Sequence, residues 1–181
     1  MDKTDDLSVS AEAASRYVLI FSLPLAVSML AVYFIFSPDP SFRVRLTGGA
    51  AAILLAAMVA GIFAHEAVHG LSWAIFGRLP ISRIRFGLHR PTMTPYAHAL
   101  DPMPAWSYRA GAALPAIVLG IVPYLAGVLL GHWLLALYGL LFTLAAGADL
   151  LVLWLIRKVD GRTLIRDHPS RVGCLVGTGE A

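Results

Sequence analysis

Cysteine and charge are both scarce in this chain. One cysteine, Cys174, stands among 181 residues, which excludes an internal disulfide and any zinc site built from several thiolates. Charged residues make up only 14% of the chain and hydrophobic ones 58%, with a mean hydropathy of +0.73. A soluble domain carries about 25% charge, so the composition points to an integral membrane protein. The net charge is +3 and no basic stripe with interleaved aromatics occurs. That excludes a nucleic-acid surface and leaves loops suited to anionic lipid. Residues 1–16 lack the basic n-region and small-residue cleavage site of a signal peptide. They read as a short mobile cytoplasmic tail.

Long apolar runs are what the chain has instead. Four segments can cross roughly 30 Å of hydrocarbon as helices: residues 17–36, 48–77, 110–131 and 133–156. Pro24 sits inside the first, and Ser37-Pro38-Asp39-Pro40 ends it. The third carries Pro115 and Pro123, and Gly131-His132 marks a tight turn into the fourth. With the N-terminus inside, twelve of the fourteen basic residues fall on the inner side, against Arg43 and Arg45 outside. The positive-inside rule then puts both termini in the cytoplasm. Trp73, Trp106 and Trp154 fall near the same inner interface, as an aromatic belt requires. The sequence thus predicts an all-α membrane protein. It is a four-transmembrane-helix bundle (17–156) with a small cytoplasmic β-hairpin or loop between helices 2 and 3, flanked by tails 1–16 and 157–181.

Within span two, Glu66 is the only charged residue, and it lies in His65-Glu66-Ala67-Val68-His69-Gly70. An ionised carboxylate in hydrocarbon is costly and is usually retained for function. Residues four apart share a helix face, so His65 and His69 can offer two imidazole nitrogens to one metal ion. With six His and three Glu in the chain, His-Glu-x-x-His arises by shuffling with a probability on the order of 0.3 per cent. The bland alternative is a pair of packing histidines bonded to backbone or to Glu66.

A third ligand follows from depth. His69 lies nine residues before Arg78 and Asp149 eight before Arg157. Both therefore sit ~12–14 Å short of the inner basic flank on helices of the same direction. A carboxylate is an accepted third zinc ligand beside two imidazoles. The small residues Ala57, Gly61 and Ala64, and Ala145 to Ala148, allow close helix approach in lipid. The competing reading has Asp149 hydrogen-bonded to a histidine or held protonated. His98, Asp167 and His168 are further candidate ligands if the loop and tail fold back, whereas His132 falls on the wrong face.

The inner loop, residues 79–109, is too polar to cross a bilayer. Arg83 to Leu88 and Thr92 to Leu100 alternate in polarity around His89-Arg90-Pro91, which predicts a β-hairpin with Pro95 on an edge. Such an edge could take an extended peptide by strand addition. The alternative is a loop held to headgroups by its arginines.

The chain resembles the putative zincin peptidase family of small bacterial membrane proteins. The resemblance rests on His65 to Gly70, Pro95-Tyr96-Ala97, Gly147-Ala148-Asp149-Leu150 and Arg166-Asp167-His168-Pro169. It implies a multi-pass protein of the bacterial inner membrane, related to site-2 protease type intramembrane metalloproteases. There an Asp on a later helix completes the zinc site, which maps onto Asp149. The Asn-x-x-Pro and Asp-Gly elements of that larger group are missing.

These readings converge on a zinc-dependent intramembrane peptidase acting at the cytoplasmic side on a membrane-protein or peptide substrate. His65, His69 and Asp149 would hold Zn2+, and Glu66 would be general base toward zinc-bound water. His98 and Arg109 are the loose candidates for oxyanion donor. The alternatives are a non-catalytic zinc-stabilised membrane protein, or an ion- or proton-conducting one built on Glu66 and Asp149.

Overall fold

The computed structural model describes residues 5–38, 47–89 and 94–177. The chain is mostly helical, at 66%, with two small antiparallel sheets. Helix α1 (Ala11–Phe36) starts six residues before the expected Tyr17. Ser10 caps it there, its hydroxyl accepting from Ala13 N–H at 3.2 Å, and Glu12 occupies the first turn, where the helix dipole favours an acid. Pro24 lies inside α1 without ending it. Helix α2 (Gly48–Phe76) is capped in the same way by Thr47, which accepts from Ala50 N–H at 3.2 Å.

The third apolar run contains α3 (Ala105–Pro115), a π-helical stretch (Ala116–Ile121) and α4 (Val122–Leu130). It begins five residues ahead of the expected Ala110 because a distant segment satisfies its first amides. Ala105 N–H donates to Thr163 O at 2.9 Å and Trp106 N–H to Gly161 O at 3.1 Å. Gly131, at φ 64, closes α4 in the left-handed region, and His132 caps the next helix through Nδ1.

The expected straight span 133–156 is two helices. Helix α5 (Trp133–Ala145) and α6 (Gly147–Leu155) meet at Ala146 with a bend of 43°. The elbow is built from small residues for a reason: a Cβ on Gly147 would run into the side chain of Val18 on α1. Helix α1 packs against α6 through that gap. Three runs, Ala11–Phe36, Gly48–Phe76 and Ala105–Leu130, are long and apolar enough to cross a membrane, and the bent pair makes a fourth if counted as one.

Both sheets lie at one end of the bundle. The chain's strands are β1 (Asp5–Val9), β2 (Ile84–His89), β3 (Thr94–Ala99), β4 (Met103–Pro104), β5 (Leu164–Asp167) and β6 (Val172–Val176). The expected hairpin is β2–β3, in register from Ile84↔Ala99 to His89↔Thr94; Arg90 and Pro91 of its turn lie outside the described residues. A second sheet, in the order β1-β6-β5-β4, was not foreseen. It corrects the expected mobile tail, since Asp5–Val9 pairs along the whole of β6. It also ties β5 and β6 to the helical body through α3 and α6.

Two apolar cores result. The core at the sheet end joins Trp73, Tyr108, Ala112, Val152, Ile156, Ile165 and Cys174. The other, at the far end, joins Met29, Tyr33, Tyr124, Val128, Ala136 and Leu140. Outside these cores α1 and α2 present apolar side chains outward, Leu23 at 70% and Ile53 at 71% exposure among them. That surface fits lipid rather than water.

Candidate metal centre

The motif turn of α2 and the first turn of α6 converge. His65 Nε2 lies 3.1 Å from Asp149 Oδ2, His69 Nε2 lies 3.2 Å from Asp149 Oδ1, and the two Nε2 atoms are 3.2 Å apart. The bend at Ala146 is what points Asp149, the third residue of α6, at α2. The two helices need no long contact of their own. Helix α2 packs along α3, and α3 along α6, so α3 sets their separation. The small face of span two meets span four as expected, but through its α5 half, where the Phe142 ring occupies the space at Gly61.

The geometry fits a tetrahedral ion. Bonds of 2.0–2.1 Å to nitrogen or oxygen place tetrahedral donors ~3.3 Å apart, close to the 3.2 Å between the two imidazole nitrogens and to the distance from each nitrogen to its own nearer Asp149 oxygen. The tautomer fits as well. His69 Nδ1 is 3.0 Å from Gly111 O, and a carbonyl can only accept, so Nδ1 carries the hydrogen. In its neutral form His69 then aims a lone pair from Nε2 at His65 and Asp149. Three acceptor-rich atoms in contact ask for a cation between them. Among the described residues these three form the one metal-capable group of His, Cys, Asp and Glu.

Glu66 is held beside this triangle by a hydrogen bond the sequence did not announce. Its Oε2 accepts from Ala97 N–H of β3 at 2.6 Å. Two residues along the same strand edge, Ala99 N–H donates to Asp167 Oδ2 at 2.8 Å. Pro95, on the same side by the period-2 alternation of the strand, has no N–H to offer. The donors on this edge of β3 are thus taken by two carboxylates, and a peptide adding as a strand here would have to displace both.

Glu66, His98, Tyr96, Asp167 and Arg171 line one cavity of about 400 Å³ together with the triangle. Its far wall belongs to the tail. Asp167, on β5, also accepts from the Tyr108 hydroxyl and lies 3.4 Å from His98 Nδ1. Burial pushes the Asp167 carboxyl up from its ordinary value, against the pull of the Tyr108 hydroxyl, the Ala99 N–H and His98. His168 Nδ1 accepts from Ser170 and Arg171 N–H at 3.1 and 2.9 Å. His98, Asp167 and His168 therefore fold toward the site as candidates did, but none joins the triangle. Arg109 is diverted altogether. Its guanidinium donates to the carbonyls of Ile156 and Val159, just past the end of α6, which removes it as an oxyanion donor.

Trp73 also departs from expectation. It is 4% exposed and stacks between His69 (5.3 Å, 19°) and Tyr108 (5.5 Å, 23°). It is a wall of the site rather than part of an interfacial belt. Trp106 and Trp154 remain about half exposed, and Arg157 lies 4.0 Å over the Trp154 ring.

The family model described as "Putative zincin peptidase" matches residues 58–164, more than half of the chain. The chain belongs to this family. The matched stretch contains the whole triangle and Glu66, and it ends before Asp167 and His168. Family membership brings with it a zinc metallopeptidase assignment, in keeping with the donor set. No curated protein and no solved structure matches the chain.

Proposed function

We propose that this chain is a zinc-dependent intramembrane peptidase of the site-2 protease type, acting at the cytoplasmic side of the bacterial inner membrane. One observation carries the reading: His65, His69 and Asp149 meet in one metal-capable cluster, with Glu66 anchored alongside, among helices apolar enough to cross a bilayer. Four spans follow when α5 and α6 count as one. Both termini and the hairpin then share the cytoplasmic side, which agrees with both sheets gathering at one end and with the basic residues there.

His65, His69 and Asp149 would hold the ion. Bound zinc would polarise a scissile carbonyl and bring the pKa of water toward neutrality. Glu66 takes a proton from the attacking water as its oxygen bonds to the carbonyl carbon. As the C–N bond breaks, Glu66 returns that proton to the leaving amine. The Ala97 N–H keeps one carboxylate oxygen fixed through both transfers, and the Trp73 ring covers one face of His69 against water. His98, beside Asp167 on the opposite wall, is the polar group best sited to face the substrate carbonyl. The substrate is a peptide bond of a membrane protein or peptide that reaches the cavity from the lipid or the cytoplasm.

Purified protein should contain one zinc per chain and cleave a quenched-fluorescent transmembrane peptide. Glu66→Gln should keep the zinc and slow cleavage ~10²–10⁴-fold. Cleavage at the wild-type rate would remove Glu66 as general base. A protein whose zinc only braces the fold would cleave nothing in either form, and a cation conductor would carry current in liposomes without zinc.

A further inference from the structure

The metal triangle draws its residues from α2 and α6, yet the partner of its most buried member comes from α3. His69 Nδ1 meets the carbonyl of Gly111 at 3.0 Å. In an unbroken α-helix that carbonyl would be consumed four residues on, by the N–H of residue 115. Residue 115 is proline, which has no N–H. The helix nonetheless continues through it into the π-helical stretch. Gly111 O is thereby released from its own helix, among apolar helices where an unsatisfied carbonyl is costly. His69 is the donor that satisfies it.

Gly111 contributes a second way. A Cβ there would run into the Trp73 indole, with Cδ1 and Nε1 as the atoms in the way. Without one, Trp73 lies flat against the α3 backbone and stacks on His69, with Tyr108, also on α3, behind it. The imidazole is thus fixed twice by α3, at its Nδ1 edge by the freed carbonyl and on its face through Trp73. Both restraints serve one end, a hydrogen on Nδ1 and a lone pair on Nε2 aimed at the ion site.

We infer that Gly111 and Pro115 form a positioning device for the metal centre: the proline withholds an N–H so that the Gly111 carbonyl can set the tautomer and orientation of His69. The inference rests on reading His65, His69 and Asp149 as metal ligands, but it does not need the site to cleave anything. It assigns α3, which supplies no ligand, a direct influence on metal affinity. Pro115 is then more than a tolerated kink.

The test is zinc affinity of the full-length protein in detergent, measured by competition with a chromophoric chelator. Pro115→Ala restores a backbone N–H that competes for Gly111 O. Loss of a ligand's outer partner typically lowers metal affinity ~10–100-fold, and a drop of that size is expected here. Alanine is the better helix former, so thermal stability of the zinc-free protein should hold or rise. The opposed directions matter, because a merely structural proline would move affinity and stability together or leave both alone. Nitrogen-15 NMR of the zinc-free protein supplies a second readout. Wild-type His69 should be the Nδ1–H tautomer, and Pro115→Ala should lose that preference. Wild-type zinc affinity together with an unchanged His69 tautomer in Pro115→Ala would overturn the inference. If the affinity falls as expected while the wild type cleaves no peptide, the peptidase reading fails and this one stands.

Discussion

The two ends of the bundle solve the same problem of burying backbone and side chains in opposite ways. At the far end, α1, α4 and α5 pack with helices alone. Close approach is obtained by deletion: a Cβ on Gly127 would strike Ala136 N, and one on Gly139 would strike Tyr124 N. One buried hydroxyl in that core, that of Tyr124, donates to the Met29 carbonyl. The sheet end instead holds His65, Glu66, His69, Asp149, Asp167 and Arg109, and each of these has a partner. Several of those partners are groups that an intact helix or sheet would have used itself: Ala97 and Ala99 N–H on a strand edge, and Gly111 O four residues before a proline. Ionisable groups can sit in an apolar protein where irregular backbone exists to receive them. The lesson is that the strands at this end are part of the site rather than decoration on a helical bundle.

That contrast can be broken most severely at the triangle. His65→Ala or Asp149→Ala should abolish stoichiometric zinc binding, read by metal analysis of the purified protein. Stripping zinc from the wild type should lower its unfolding temperature, since an ion present at 100 times its Kd contributes about 2.7 kcal/mol. Hydrogen exchange should localise that loss to β3 and the first turn of α6 and spare α4 and α5. Uniform loss of protection at both ends would mean that the two cores are one cooperative unit. A smaller effect is expected at the far end. Gly127→Ala overpacks the α4–α5 contact and should destabilise by about 1–3 kcal/mol while leaving zinc content untouched. A fall in zinc content in that variant would tie the far core to the metal site.

The smallest effect concerns Cys174, buried on β6, whose thiol is pushed up to about 12 by burial. A folded-state pKa above the unfolded one favours the protonated form. Its contribution is therefore fully present at neutral pH and is lost as the pH rises from about 9 toward 12. Native protein at about pH 8 should resist iodoacetamide, because the thiolate is the reactive species, and unfolded protein should react. Rapid alkylation of the native chain would mean that the β1–β6 pairing opens readily.

The members of the candidate cluster could be brought together before any fold. His65, Glu66 and His69 share a helix by spacing, and Asp149 was brought to them by counting residues from the inner basic flank. The structure puts its carboxylate 3.1 and 3.2 Å from the two imidazoles. The β2–β3 hairpin was legible in alternating polarity. The Ala146 elbow was not, because hydropathy averages over a run and is blind to direction. The roles of Asp167, Arg109 and Trp73 were misjudged for a related reason. Each was read by type, as a stray ligand, an oxyanion donor and a belt aromatic, whereas each has a deciding partner 35 to 68 residues away.

The sequence by itself determined the apolar runs, their ends and the His-Glu-x-x-His face, because hydropathy and helical period are properties of neighbouring residues. Only the tertiary structure decided what each of these residues faces. It turned α6 toward α2, closed the cavity with β3 and the C-terminal strands, and gave the Gly111 carbonyl to His69. Such pairings depend on weak, distant groups whose meeting no local pattern encodes.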